Sequence, residues 1–274
     1  REIEKQSIIK SLNQQINNNV KKYSSESVGC FISPQSTSEE MYLFQRLSRK
    51  LGINNIDHRT NEQDFAYQDS FPVMPSLGTN IENLHEFDNI ILIGTNIKTE
   101  FPILTVRFND AVKKDTDIYS YHFINMPEDF DVKKNFVMNN TDLLSVFQDH
   151  SLESCRGRKN LLIIGPNITY FHNQSLFLQA IEAFASNINA TVGYLTDFCN
   201  STSGWILGNV PHRLPGGEKI KTSGYNTSQM LEGNLSTMVF FNLDPDNDFY
   251  NSSALINALQ KSSCNIFFTS VSYT

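Results

Sequence analysis

A doubly wound α/β architecture with mainly parallel sheets is what this sequence predicts, and three observations carry the prediction. Short apolar runs recur along the chain, each closed by a turn and followed by a helix of apolar periodicity. The runs do not alternate apolar with polar residues, so both faces of each strand are buried, as parallel sheets flanked by helices require. The order strand–turn–helix repeats, and crossovers of that kind are right-handed.

The first element is a helix over residues 1–24, where Ile8, Ile9, Leu12, Ile16 and Val20 recur at spacings of three and four beside a face of Gln, Asn and Lys. One buried face follows, set either against the core or against a neighbouring molecule. Residues 28–33 form the first apolar strand. Thr37-Ser38-Glu39-Glu40 then has the form of a capping box, and a helix carrying Met41, Leu43, Phe44, Leu47 and Leu51 stops at Gly52. The second unit is a strand and turn over 89–96 with a helix over 102–114. The third runs over 160–167 with a helix over 175–190, and the fourth over 237–245 with a helix over 252–260. Residues 117–124 and 264–270 read as further strands. Two long irregular stretches, 54–84 and 197–234, interrupt the repeat, and loops of that length are often functional.

With 274 residues, 39% hydrophobic and 19% charged, the chain can bury sizeable cores and is too apolar for disorder. The net charge of −7 is spread along it, and no basic stripe exists to neutralise phosphates, so nucleic acid is not an expected partner. No apolar run approaches the roughly 20 residues that cross a bilayer, so direct membrane insertion is not expected. Arg1-Glu2-Ile3-Glu4-Lys5 is neither an initiator Met nor a signal peptide, and a longer parent chain is expected. Cys30, Cys155, Cys199 and Cys264 lie far apart without a CxxC pair, which fits neither an iron–sulfur cluster nor structural zinc; reduced cytosolic thiols are expected.

In open parallel sheets ligands bind beyond the carboxyl ends of the strands. The corresponding turns are 33–36, Gly94-Thr95-Asn96, Gly165-Pro166-Asn167 and 242–245. Glycine there permits close backbone approach, and exposed amides favour anions. None of the four is a GxGxxG or GxxxxGK[ST] loop, so bare turns and an occupied site both stay open. Asp57, His58 and Arg59 form a polar knot that, without GxSxG or a paired nucleophile, reads as a hydrogen-bond hub. His85, His122, His150 and His172 are isolated from metal-type spacings. Asp244, Asp246 and Asp248 imitate a calcium loop, but Phe249 replaces the required Gly and Leu255 the bidentate Glu. Gly204-Trp205 and the Pro/Gly-rich 211–217 mark a rigid segment, either an inter-subunit contact or a locally packed loop. No catalytic residue and no metal ligand is assigned.

The order of these pieces resembles the molybdopterin oxidoreductases. Ser33-Pro34 and the stretch from Thr37 to Leu43 are similar to the strand–loop–helix opening that family's second domain, and Gly52-Ile53-Asn54-Asn55-Ile56-Asp57 to its Gly-x-Asn-Asn-x-Asp stretch. Residues 81–107 resemble its third-domain strand and helix, and the resemblance resumes over 160–208 and 238–274. Asn55-Ile56-Asp57-His58-Arg59 and Val210-Pro211-His212-Arg213 with Pro215-Gly216 look most like the large iron–sulfur subunit of bacterial respiratory complex I.

The resemblance implies two interleaved, discontinuous domains after the helix of 1–24: 25–80 with 159–234, and 81–158 with 235–274. It implies a structural and docking region of NADH:quinone oxidoreductase without a catalytic centre of its own. Other peripheral-arm subunits would be its partners, on the cytoplasmic side of the bacterial inner membrane. The 2Fe–2S and 4Fe–4S clusters of such a subunit are implied upstream, and no cofactor for this chain. Molybdenum enzymes of the family carry a Cys, selenocysteine or Ser ligand soon after the Asn-Asn-x-Asp stretch, whereas no Cys occurs from Phe31 to Ser154, although Ser70 is of a suitable residue type. Gly94, Thr95, Asn96, Gly165, Pro166, Asn167, Asp57 and His58 are then candidates for a vestigial cleft. The alternative is a fragment of a genuine molybdopterin-dependent oxidoreductase of formate-dehydrogenase or nitrate-reductase type, with a pterin guanine dinucleotide across the four turns. A nucleotide-binding module that kept only those turns is a third reading.

Overall fold

The computed structural model describes residues 5–125, 127–138, 147 and 150–269. The chain forms two α/β units, Arg1–Gln63 with Phe198–Thr274, and Asp64–Asp197. The first unit begins with α1 (Lys5–Tyr23), β1 (Val28–Ile32), α2 (Ser38–Lys50) and β2 (Ile56–Asp57). The second comprises β3 (Asn89–Ile93), α3 (Ile97–Glu100), α4 (Pro102–Val112), β4 (Asp117–His122), β5 (Lys134–Val137), β6 (Asn160–Ile164), α5 (Gln174–Asn187) and β7 (Ala190–Tyr194). The first then resumes with α6 (Ser201–Ile206), α7 (Thr227–Glu232), β8 (Thr237–Phe241), α8 (Ser252–Lys261) and β9 (Cys264–Phe268).

Both sheets are parallel at every pairing, in the orders β2-β1-β8-β9 and β5-β4-β3-β6-β7. In the second unit the apolar runs split by parity. Ile90, Leu92, Ile118, Leu161 and Ile163 face Leu104, Phe108 and Ala111 of α4. Ile91, Ile93, Tyr119, Tyr121, Leu162 and Ile164 face Phe177, Leu178, Ile181 and Ala185 of α5. Helices on both faces explain the unbroken apolar strands: each fully buried side chain contributes about 1.5–3 kcal/mol on either side of the sheet. The first unit repeats the arrangement. Phe31, Met238 and Phe240 pack with α7 and α8, while Cys30, Ile32 and Val239 pack with Met41 and Phe44 of α2.

Local signals act where expected. The Thr37 side chain accepts from the Glu40 amide at 3.3 Å and the Thr37 amide donates to Glu40 Oε2 at 2.9 Å, so the capping box starts α2. Leu12, Ile16 and Val20 of α1 lie half-buried against the first unit's core, and Asn19 donates to Thr237, which makes that face a core-packing one. No helix among the described residues is long and apolar enough to cross a membrane.

The domain division differs from the expected one. Strand β6, expected with 25–80, pairs residue for residue with β3 (Asn89↔Asn160), and β8, expected apart from 25–80, runs along β1. The expected boundaries 25–80 with 159–234 and 81–158 with 235–274 therefore give way to a second unit continuous in sequence. The helix expected over 175–190 stops at Asn187, because Asn189 turns with φ 51° and Ala190 begins β7. The stretch 197–234 is not wholly irregular, since it holds α6 and α7. Nor is 54–84, which holds β2 and a short 3-10 turn at Ile81–Glu86.

Candidate functional site

In the second unit the chain winds outward in both directions from between β3 and β6, and the two turns Gly94-Thr95-Asn96 and Gly165-Pro166-Asn167 meet there. A β carbon on Gly165 would lie 2.3 Å from Thr95 Cβ and 2.4 Å from the Gly94 oxygen, so only glycine permits this approach. Six of the eight candidate residues are thus neighbours, and Gly94, Thr95, Asn96 and Asn167 line a cleft of about 360 Å³. The same cleft is walled by Phe123, Ile124, Tyr170 and Phe171, with Thr99, Glu100 and His122 completing it. The Phe123 and Phe171 rings lie 4.3 Å apart between centroids.

Several of the donors that an anion would use are already engaged, Asn96 Nδ2 being without a partner among the described residues. Glu100 accepts from Thr95 Oγ1 at 2.6 Å, from the Asn96 amide at 3.2 Å and from Asn167 Nδ2 at 2.6 Å. Glu128, whose side chain is fully buried, accepts from the amides of Ile97 and Lys98, each at 3.3 Å. Burial pushes the Glu128 carboxyl up, the two amides oppose it, and the charges of Glu100 and Asp129 add to the rise. Both Ser120 Oγ, at 2.6 Å, and Glu128 Oε1, at 3.6 Å, approach the same His122 nitrogen, Nε2. A serine–histidine–carboxylate relay needs opposite ring nitrogens, and Ser120 is buried, so this trio is not a nucleophilic triad. Burial lowers the His122 pKa, against the Thr95 hydrogen bond and the Glu100 charge.

Asp57 and His58, the other two candidates, belong to the first unit. Asp57 is fully buried and takes Arg59 as a fork, Nε at 2.8 Å and Nη2 at 2.9 Å, plus the amides of Arg59 and Thr227 at 3.1 Å each. Burial alone would raise its pKa, but the Arg59 charge and hydrogen bonds outweigh that and hold the carboxyl below its ordinary range. His58 Nδ1 lies 2.9 Å from the Asn209 oxygen, and burial drives the ring's pKa down to about 4. Trp205, itself buried, carries the Arg59 guanidinium 4.9 Å from its ring centroid and Arg213 at 5.8 Å, with His58 and His212 against its edges. The two motifs 55–59 and 210–213 therefore close on one tryptophan, and the segment is locally packed.

The turn after β8 has the same acidic character. Asp248 accepts from the Asp244 amide at 2.7 Å and Asp244 from the Asp246 amide at 3.0 Å, so these carboxylates cap their own turn. Among the described residues no cluster of His, Cys, Asp or Glu has the form of a metal site. Ser70 sits on an exposed turn, its amide donating to the Tyr67 oxygen. Glu100, Glu128 and the aromatic walls escaped the sequence reading. Glu100 follows the Gly-Thr-Asn turn within one helical turn, which was a usable signal; Glu128 arrives from a distant loop and gave none.

Among solved structures, the chain is similar to one in the formyltransferase/hydrolase complex FhcABCD of Methylorubrum extorquens, in complex with methylofuran. The TM-score is 0.55 at 11% identity, covering 84% of this chain and 74% of that one, a likeness of fold. Over 107 residues it is 30% identical to the alpha subunit of F420-dependent formate dehydrogenase 1 of Methanococcus maripaludis, a match spanning 38% of this chain and 16% of that protein. The family model for molybdopterin oxidoreductases matches residues 6–270. With two parallel-sheet units and a match over nearly its whole length, the chain belongs to the molybdopterin oxidoreductase family.

Proposed function

We propose that this chain is a non-catalytic docking region of an oxidoreductase assembly, of the kind formed by the large iron–sulfur subunit of respiratory complex I. The observation that carries it is the pair of carboxylates, Glu100 and Glu128, at the switch point of the second unit. A pterin dinucleotide brings a pyrophosphate, which needs amide donors and cations. Here the amides of Asn96, Ile97 and Lys98 are spent on carboxylates, and like charges about 4 Å apart repel by about 4 kcal/mol at an effective dielectric near 20. The self-capped turn after β8 has the same polarity. The residues present do not fit the anionic half of that cofactor, and Gly94, Thr95, Asn96, Gly165, Pro166 and Asn167 serve as a fastening between strands. Asp57 and His58 serve as a buried structural hub.

The complex I assignment is supported by the motifs around Asp57–Arg59 and Val210–Arg213, which come together on Trp205. In this reading NADH electrons travel to quinone through 2Fe–2S and 4Fe–4S clusters elsewhere in the parent protein and its partner subunits, peripheral to the cytoplasmic face of the inner membrane. The test is to locate the chain by antibody on a native gel stained for NADH-dependent dye reduction, with metal analysis of the isolated chain. Co-migration with the active band and no stoichiometric molybdenum or iron are expected; stoichiometric molybdenum in the isolated chain overturns the proposal. The formate dehydrogenase relative favours a second reading, a genuine molybdopterin-dependent oxidoreductase, which requires saturable binding of pterin guanine dinucleotide.

A further inference from the structure

We propose that the cleft beyond β3, β4 and β6 seats an arginine or lysine side chain presented by a peptide segment of a partner protein. The inference rests on the docking reading above and names the chemistry of what docks. Three features of the cleft converge on it. Its floor is anionic: Glu100 lines it and Glu128 lies behind His122, and among the described residues neither carboxylate forms an ion pair with a Lys or Arg side chain, the Lys98 ammonium pairing with Asp129 instead. A cationic group from outside would supply the missing counter-charge.

Its walls suit a long aliphatic stem. Phe123, Phe171, Tyr170 and Ile124 are apolar surfaces over which methylene groups can lie while the charge reaches inward, and a guanidinium gains further from the ring faces. Ile124 is 67% exposed and Tyr170 42%, so the apolar wall continues out to the mouth, where a partner surface would cover it.

Asn96 supplies the third feature. It is only 4% exposed and lines the cleft; its Oδ1 accepts from the Thr99 amide and hydroxyl, while its Nδ2 meets no partner among the described residues. An unsatisfied buried donor calls for an acceptor. A free ammonium or metal cation offers none, whereas a peptide carbonyl next to a cationic side chain supplies an acceptor for Asn96 and a counter-charge for Glu100 together.

The experiment titrates the purified chain, watched by ¹H–¹⁵N spectra, with N-acetyl-arginine methylamide, its uncharged citrulline counterpart, and GDP. Saturable binding of the arginine probe that moves the Asn96 side-chain amide is expected, with the citrulline probe about tenfold weaker. Glu100→Gln should weaken the arginine probe by a similar factor. Ile124→Arg, at an exposed position that leaves the fold intact, should do the same by placing a cation at the mouth. Equal binding of citrulline, shifts confined to residues outside the cleft, or indifference to both substitutions overturns the inference. Failure of both the arginine probe and GDP to bind overturns this inference alone, whereas GDP seated in the cleft overturns the docking reading as well.

Discussion

Asn167 donates its side-chain amide to Glu100 at 2.6 Å, and through that bond the turn after β6 is fastened to the turn after β3. Glu100 also holds the Thr95 hydroxyl and the Asn96 amide, so one carboxylate satisfies three donors of two turns. Replacing it with Ala leaves buried donors unpaired, each costing roughly 1–3 kcal/mol when water cannot reach it. Glu100→Ala should therefore lower stability by about 2–4 kcal/mol in urea unfolding, and Glu100→Gln by distinctly less. An unchanged midpoint for the Ala variant would mean the turns hold together without the bond.

Acid should destabilise the first unit well before carboxylates titrate in bulk. His58 has a folded pKa of about 4, below the roughly 6.5 of an unfolded histidine, so between those values the unfolded state binds the extra proton. Stability is full above about pH 6.5 and falls as the pH drops towards 4, by an amount on the order of 3 kcal/mol. Asp57, with its pKa depressed by Arg59, adds a second loss below about pH 3.9, as the pH falls through its folded value. Unfolding midpoints measured from pH 7 to 4.5 should slope downward in the parent chain and flatten in His58→Gln.

Gly204 and His58 should behave as one unit. A β carbon on Gly204 would stand 2.5 Å from His58 Cδ2, and the ring cannot retreat because Trp205 and the Asn209 carbonyl fix it. Gly204→Ala is expected to cost about 1–3 kcal/mol through overpacking. In a His58→Ala background the space opens, so the second substitution should cost less than it does alone; a double-mutant cycle reads the difference. Strict additivity would place the strain elsewhere.

Much of this was legible in the chain, for identifiable reasons. Ile90–Ile93 and Leu161–Ile164 announce buried parallel strands because local apolar density alone determines them. Thr37 and Glu40 announce a helix start because the capping box is contained within four residues. The same locality failed for β7, where Ala190, Thr191 and Gly193 carry little apolar signal and Gly193 is demanded by the Leu77 backbone 2.2 Å from where its β carbon would sit. Strand partnership failed too, since the pairing of Asn89 with Asn160 is fixed by a side-chain bond 71 residues apart (Nδ2 to Oδ1, 2.8 Å) and not by either strand's own pattern. At the cleft, the glycine turns stood out, but the sign of the charge within it came from Glu100 and from Glu128, which folding brings in from another segment.

Thiol reactivity offers a last test of how tightly the first unit's sheet is closed. Cys30 is buried in β1 between Ile56 of β2 and Val239 of β8, and burial pushes its thiol up to about 11. Cys155 is buried in the second unit's core, and burial raises its pKa as well. Cys199 is exposed and Cys264 half-buried on the edge strand β9. Because the thiolate is the reacting species, a native-state titration with a disulfide reagent near pH 8 should label Cys199 first and Cys264 more slowly. Cys30 and Cys155 should resist until denaturant is added, and then all four should react together. Early labelling of Cys30 would show that the pairing of β1 with β2, only two residues long, opens in the folded chain and exposes the strand that the whole first sheet is built upon.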